Sequence, residues 1–345
     1  MKEINKKVGI LCAICLPILG ASTAALSENV KFDQEKSSSI VVKNEELFPE
    51  SITYNPLSDR YILGSFRQGA IFEVDENGNT KKIVEDSRLR SVFAVRIDSK
   101  RNRLLALTSD LGASIETHPD TVKQYASLVI YDLKSRAPIR YIDLSNLAPN
   151  EEHLVNGMTL DDKGNAYITD SFAASIYKVD TNGKASLFLK SDEFKGEGIN
   201  LNGIVYHPDG YLLCVKKSNG VIYKIPLTNP SEFSPVVSDQ KYIGADGLIL
   251  VGENEIVIIA NRALGYNTDS AFAVSSADDW STMTTIDQYS FGNVYPTTGV
   301  LKNGEIAVVH SKLNTLVAAP SNEKSKLRHY PIIEKIGRIT GDPVK

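Results

Sequence analysis

The sequence has few of the residues that stabilise small secreted proteins or build transition-metal sites. It contains three cysteines, one tryptophan and five histidines in 345 residues. Cys12 and Cys15 lie inside an apolar N-terminal run, so Cys214 alone remains in the rest of the chain, and one thiol cannot form an internal disulfide. No two histidines are close in sequence, which argues against a zinc or copper site. Stability must therefore come from packing, with Cys214 expected as an inert buried thiol.

Long runs of one charge or of apolar residues are also missing beyond the N-terminus. The chain has 38 Lys and Arg against 42 Asp and Glu, a net charge of −4, with no long basic stretch. This balance argues against nucleic acid as a partner. No G-x-S-x-G nucleophile motif and no glycine-rich phosphate loop occurs. With 42% hydrophobic and 23% charged residues, the composition is typical of an ordinary globular protein.

The first residues predict an export signal. Lys2, Lys6 and Lys7 precede an apolar stretch over residues 8–20, and small residues follow at 21–25. We predict a secretory signal peptide over 1–24, a tether over 25–40, and a secreted or periplasmic protein with no membrane contact after cleavage. The apolar run of about 13 residues is shorter than the roughly 20 that a membrane-spanning helix needs. An uncleaved membrane anchor remains the alternative.

The remaining chain repeats a pattern of short β-branched and aromatic runs separated by turn residues. Six equivalent apolar positions are Ile52, Val95, Met158, Ile204, Leu248 and Val300. Units of about 40–60 residues with about four strands each predict an all-β, six-bladed β-propeller over 41–345. A two-domain sandwich is the alternative. A polar insertion over 109–124 is expected to be a surface loop, and a terminal strand near 40–42 or 330–333 to close the ring.

The residue two positions before each of these apolar positions begins the innermost strand of its blade. In chain order these head residues are Glu50, Phe93, Asn156, Asn202, Asp246 and Thr298. Heads of innermost strands converge at one mouth of the channel, and four of the six carry a carboxylate or amide oxygen of the kind that binds hard cations. Two carboxylates and two amides suit a hard divalent cation such as calcium. Each residue alone would be an ordinary turn or surface residue, so the shared repeat position carries this prediction.

The blade pattern and its head residues resemble the regucalcin/gluconolactonase (senescence-marker-protein-like) family of six-bladed propellers, related to paraoxonases and strictosidine-synthase-like proteins. The segments that carry the resemblance are Asn156-Gly157, Tyr167-Ile168-Thr169-Asp170-Ser171 and Asn202-Gly203. The resemblance spans about residues 47–336. It implies that Glu50, Asn156, Asn202 and Asp246 hold a central cation, usually calcium, and that Asp246 is also the general base. The family's usual Glu-Gly-Pro is here Pro49-Glu50-Ser51, and the catalytic histidine of paraoxonases has no clear counterpart.

These observations lead to a metal-dependent hydrolase acting on a lactone or related ester as the first hypothesis. The cation would polarise the carbonyl, and Asp246 would take a proton from water. His153, Asp170, Asn261 and Arg262 are weaker candidates for the rim of a substrate pocket, because they lie just before a head residue or at the end of a second strand. A non-enzymatic ligand- or protein-binding propeller with a structural cation is the second hypothesis, and a strictosidine-synthase-like condensing enzyme a third. Oligomeric state is left open.

Overall fold

The computed structural model describes residues 30–262 and 269–339, and the predicted signal peptide lies outside these ranges. The described residues form six β-sheets in succession, antiparallel except for one two-residue strand at the outer edge of blade five. The apolar positions singled out in the sequence fall on the six innermost strands, one for each sheet. The predicted all-β six-bladed propeller is therefore confirmed.

Blades one to three are continuous four-stranded antiparallel sheets that follow each other along the chain. Their strands are β3 (Pro49–Asn55), β4 (Arg60–Ser65), β5 (Ala70–Val74) and β6 (Thr80–Glu85), then β7 (Ser91–Asp98), β8 (Arg103–Ser109), β9 (Ala126–Asp132) and β10 (Pro138–Asp143), then β11 (Val155–Leu160), β12 (Ala166–Asp170), β13 (Ser175–Val179) and β14 (Ala185–Lys190). Single 3-10 turns at Ser99–Arg101, Ser145–Leu147 and Asp192–Phe194 lie in the connections.

Blades four to six continue the order with small additions at their outer edges. Their strands are β15 (Leu201–His207), β16 (Tyr211–Lys216), β17 (Val221–Pro226) and β18 (Ser234–Pro235), then β19 (Val237–Ser238), β20 (Ala245–Gly252), β21 (Glu255–Ala260), β22 (Ser270–Ser275) and β23 (Thr282–Ser290), then β24 (Pro296–Lys302), β25 (Glu305–His310) and β26 (Ile332–Arg338). A 3-10 turn at Pro230–Glu232 follows β17, and β19 pairs in parallel with β23.

The ring closes through the N-terminal residues. β1 (Lys31–Phe32) and β2 (Ser38–Val41) both pair with β26, and Ile40 lies opposite Ile333. The two segments that the sequence offered as alternative closing strands therefore pair with each other. This corrects the tether predicted over 25–40, because its described part contains two paired strands. The N-terminal strands complete the outer edge of blade six, so that both terminal segments are held in one sheet.

The hydrophobic core lies mainly between neighbouring blades. Met158 and Ile168 of blade three pack in one cluster with Leu107 of blade two, and all three are fully buried. Cys214 is also fully buried, between blades three and four, and burial raises the pKa of its thiol. A buried thiol that stays protonated is unreactive, as the sequence predicted.

Two short helices interrupt blade six. They are α1 (Leu313–Ala318) and α2 (Ser321–Lys324), between β25 and β26. Leu313 and Leu316 of α1 are buried in an apolar cluster with Phe66 and Phe93, at the end of the channel where the head residues lie. No helix in the described ranges has the length and apolar character that crossing a membrane requires.

Candidate functional site at the propeller axis

Every innermost strand carries an irregularity in its pairing at the same place, near its start. In blade five, Ala245 pairs with Ala260 and Gly247 with Ile259, so Asp246 is the extra residue of a β-bulge. A bulge breaks the alternation of side chains along a strand and re-aims the extra residue. The head residues at these six irregularities all line the central channel: Glu50, Phe93, Asn156, Asn202, Asp246 and Thr298.

The glycines that follow three head residues allow neighbouring blades to approach closely. A Cβ atom on Gly157 would lie 2.2 Å from the carbonyl oxygen of Asn202, and one on Gly203 would lie 2.5 Å from that of Asp246. Any larger residue would push the blades apart. The Asn-Gly and Asp-Gly pairs, which look like turns in the sequence, therefore lie within strands and fix the spacing of the head residues.

The structure brings the four predicted ligand residues together. Glu50, Asn156, Asn202 and Asp246 line both the narrow central channel and a wider cavity at its mouth. All four are at least nine-tenths buried, at 9%, 5%, 4% and 5% exposure. Four polar side chains from blades one, three, four and five thus form the floor of one cavity.

Asp246 is the centre of a buried hydrogen-bond network. Its Oδ2 lies 2.7 Å from Lys217 Nζ and accepts a hydrogen bond from Asn261 Nδ2 at 2.5 Å. Its Oδ1 accepts from Asn202 Nδ2, also at 2.5 Å. Asn261 Nδ2 in addition donates to the carbonyl oxygen of Pro296 at 2.9 Å, which ties the network to blade six. The Asp246 carboxylate is therefore held in one orientation.

Glu50 has a different environment from Asp246. Its Oε2 is buried and has no hydrogen-bond partner among the described residues. Burial raises the pKa of the Glu50 carboxyl well above its usual range, the negative charge of Asp246 raises it further, and Lys217 opposes both. A buried carboxylate without a partner is costly. This oxygen is consequently the one atom of the floor that most needs a positively charged or hydrogen-bonding ligand.

Lys217 is the residue of this candidate site that sequence reasoning missed. Its side chain is 2% exposed, and its ammonium lies 6.0 Å from the centre of the Tyr295 ring. It directly follows the second strand of blade four, as Asn261 does in blade five and Ser171 in blade three. Ser171 Oγ lies 3.2 Å from Asn156 Nδ2, so this position contacts a head residue in all three blades. Comparing that position across the repeats would have found Lys217.

The cavity above this floor has a volume of about 300 Å³. Its walls are largely apolar and come from the start of β7 and from loops of several blades, and α1 forms part of its roof. The apolar lining residues are Phe66, Phe93, Leu111, Ile199, Leu313, Val317 and Ala318, with Tyr295 beside them. Leu111 belongs to the insertion that the sequence predicted as a surface loop, so part of this loop is a wall of the cavity.

The weaker candidates are placed differently. His153 Nδ1 lies 2.7 Å from Asp170 Oδ2, and Asp170 also accepts from the Tyr177 hydroxyl and three backbone amides. Neither His153 nor Asp170 is among the residues that line the cavity. Arg262 Nε pairs with Asp269 Oδ2 at 2.8 Å beside a separate surface groove. The geometry supports a role in the site for Asn261, which contacts Asp246. It supports no such role for His153, Asp170 or Arg262.

The floor residues have the chemistry to hold a hard divalent cation. The donors would be the carboxylates of Glu50 and Asp246 and the amide oxygens of Asn156 and Asn202, as calcium prefers. The unpartnered Glu50 Oε2 supports this fit, and the positive charge of Lys217 works against it. Within 30–262 and 269–339, no group of three or more His, Cys, Asp and Glu is placed to bind a metal. Such a site would therefore depend on the two amides and stays a prediction.

The sequence matches no protein-family model and no curated protein. The fold is similar to that of the Malassezia sympodialis allergen Mala s 1, with a TM-score of 0.67 and 15% identity over 86% of this chain and 95% of that one. It is also similar to the calcium-binding protein regucalcin from Agrobacterium tumefaciens (0.61 and 14%, over 89% and 96%) and to virginiamycin B lyase from Staphylococcus aureus (0.56 and 13%, over 90% and 100%). Likeness at this identity concerns the fold, and gluconolactonase membership stays a prediction. The chain is thus a six-bladed β-propeller whose structural neighbours include both a calcium-binding protein and a lyase.

Proposed function

We propose that this protein is a hydrolase of a lactone or related ester that depends on a divalent cation, most simply calcium, at the propeller axis. The observation that carries the proposal is the unpartnered Glu50 Oε2, buried beside Asn156, Asn202 and Asp246 at the floor of a cavity large enough for a small molecule. We further propose that the protein acts after export, as a secreted or periplasmic protein. Its substrate is a small molecule, and neither nucleic acid nor a membrane is needed.

The residues of the floor would have different roles in ester hydrolysis. While Asp246 acts as the base, a cation held by Glu50, Asn156 and Asn202 would act as a Lewis acid toward the substrate carbonyl. Asp246 Oδ1 accepts one hydrogen bond, from Asn202, so a second lone pair remains to take a proton from the attacking water. The water oxygen bonds to the carbonyl carbon, the ring C–O bond breaks, and the leaving oxygen receives the proton. The product is the hydroxy acid.

Lys217 and Tyr295 prepare this environment. Lys217 and Asn261 occupy Asp246 Oδ2, so the other oxygen keeps a fixed direction toward the cavity floor. Burial raises the pKa of the Tyr295 phenol, and the negative charges of Asp246 and Glu50 raise it further. Tyr295 therefore remains a neutral hydrogen-bond donor at neutral pH, on the cavity wall, where a carboxylic acid product or a substrate oxygen would lie.

Removing divalent cations is expected to abolish hydrolysis. Treatment with a chelator should lower kcat/KM for γ- and δ-lactones and for phenyl acetate by about 100-fold or more, because a developing oxyanion loses its stabilising charge. Adding calcium should restore the rate, which a pH-stat assay measures. Unchanged circular dichroism during chelation would show that the fold survives. Full activity in the chelator would contradict the proposal.

A second candidate function is a non-catalytic binding propeller in which Lys217 takes the place of the cation. The observation that favours it is the Lys217–Asp246 ion pair at 2.7 Å, with side-chain exposures of 2% and 5%. A buried ammonium already offsets one of the two buried carboxylates, which lowers the need for a metal. In this case the cavity would bind its ligand without turnover.

Replacing Lys217 with methionine separates the two candidates. The Lys217→Met variant leaves Glu50 and Asp246 without the buried ammonium, so the floor loses one positive charge. If the floor is a cation site, calcium affinity should rise at least roughly tenfold by isothermal titration calorimetry, because opposing charge is removed. The control is Lys241→Met, which removes the same charge at an exposed position. No calcium binding in either the wild type or the Lys217→Met variant would favour the binding propeller.

A further inference from the structure

The cavity has a chemical character that narrows the class of substrate. Charged and amide side chains lie at its floor, Asn314 lies in the part formed by α1, the wall carries the Tyr295 hydroxyl, and the remaining lining residues are apolar. Phe66, Phe93 and Leu313 are 2%, 5% and 5% exposed and belong to an apolar cluster that surrounds the mouth of the channel. A ligand that reaches the floor must therefore place the rest of its surface against apolar walls.

We propose that the substrate is a lactone or ester bearing an apolar alkyl or aryl substituent, bound with its carbonyl at the floor and its substituent under α1. The position of the carbonyl is inferred from the proposed function. The apolar substituent is inferred only from the residues that form the cavity walls. A polyhydroxylated sugar lactone would bury its hydroxyl groups against Phe66, Phe93 and Leu111 without hydrogen-bond partners, which is costly. The geometry thus separates this chain from a sugar lactonase.

The volume sets the size of the substituent. At about 30 Å³ for each water-sized group, the cavity of about 300 Å³ holds roughly ten non-hydrogen atoms. A six-membered lactone ring with its carbonyl oxygen uses seven of these, which leaves room for about three carbons. A longer chain would extend past Val317, which lines the cavity and is 42% exposed. Binding should therefore improve with chain length and then level off.

A homologous series tests this inference. For δ-lactones with substituents from hydrogen to pentyl, kcat/KM should rise about fourfold for each methylene and level off after about three carbons. Glucono-δ-lactone should be a poorer substrate than every alkylated member. In parallel, calorimetry should show 2-propylcyclohexanone, a ketone that cannot be hydrolysed, binding roughly fiftyfold more tightly than cyclohexanone.

Two matched variants locate the effect. Val317→Asp places a charge at the cavity mouth and should lower the preference for propyl over unsubstituted compounds at least roughly tenfold in both assays. Val237→Asp is the control, because Val237 is 64% exposed on β19 and does not line the cavity. Val237→Asp should leave unchanged both the preference for propyl over unsubstituted compounds and the rate with the unsubstituted lactone.

The outcomes distinguish this inference from the proposed function. If no lactone is hydrolysed but the ketones bind with the expected chain-length dependence and sensitivity to Val317→Asp, the hydrolase is rejected and the apolar site stands. If lactones are hydrolysed without any gain from alkylation, or if glucono-δ-lactone is preferred, the hydrolase stands and the apolar substrate class is overturned. Equal effects of Val317→Asp and Val237→Asp would also overturn it.

Discussion

Replacing Glu50 with glutamine is expected to lower calcium affinity by about 100-fold or more, the largest effect on binding that we predict. The change removes one of two carboxylates from the cation site and keeps the size of the side chain. Loss of even an indirect partner of a metal ligand costs about 10–100-fold in affinity, so loss of a charged ligand should cost at least the upper value. Isothermal titration calorimetry on chelator-treated protein measures the change.

The same variant should be more stable than the wild type when cations are removed. The pKa of Glu50 is higher in the folded protein than its usual value of 4.5, so folding favours the protonated form. The contribution of Glu50 to stability is therefore fully present below pH 4.5 and is lost as the pH rises through the folded-state pKa. Glu50→Gln does not titrate and should not show this loss, so its melting temperature in a chelator at pH 7 should exceed that of the wild type.

The control for Glu50→Gln is Glu197→Gln, because Glu197 is exposed in the loop before β15. It should change neither calcium affinity nor the pH dependence of stability. Adding calcium should reverse the order of melting temperatures, because the cation stabilises only the proteins that bind it. Wild-type affinity in Glu50→Gln would remove this residue from the cation site and leave its buried oxygen without a role.

Replacing Asp246 with asparagine is expected to reduce lactone hydrolysis by about 10²–10⁴-fold, the range that loss of a positioned general base produces. The single variant also leaves the buried Lys217 without its counter-charge, which costs about 3–5 kcal/mol of stability. A loss of activity in this variant alone would therefore be ambiguous.

The double variant Lys217→Met/Asp246→Asn resolves this ambiguity. Removing both charges of a buried ion pair is often close to neutral for stability, so this protein should fold like the wild type by circular dichroism and still lack activity. The matched control is Asp209→Asn, whose side chain is 73% exposed. Turnover within tenfold of the wild type in a folded double variant would exclude Asp246 as the base.

Much of the site was predictable because its residues recur at one position of the sequence repeat. Glu50, Asn156, Asn202 and Asp246 occupy one repeat position, and the structure places all four at one floor. The same reasoning was less successful in choosing pocket residues at the ends of second strands. It selected Asp170, Asn261 and Arg262 and did not select Lys217. Asp170 and Arg262 are bound by local partners, His153 and Asp269. Whether a polar residue at a strand end faces the axis depends on such partners, which spacing does not reveal.

The covering of the cavity was not predictable from periodicity. The segment over 313–324 is too short to show a helical pattern, so α1 and α2 left no clear signal in a chain of strands. Leu313 and Leu316 are buried because Phe66 and Phe93, more than 200 positions earlier, provide a surface for them. Helices of this length are stabilised by such packing and by little else.

The sequence by itself determined the six-fold repeat of four-stranded units and the carboxylate and amide residues at four of its heads, because strand alternation and repeat spacing are local properties. The tertiary structure decided which charges meet: the Lys217–Asp246 pair spans 29 positions, and the closing pair Ile40–Ile333 joins the two ends of the chain. It also decided that the polar floor lies under apolar walls, since these walls come from different blades. Contacts of this kind are set by the closure of the ring, and the energy of a buried charge depends on its neighbours in space.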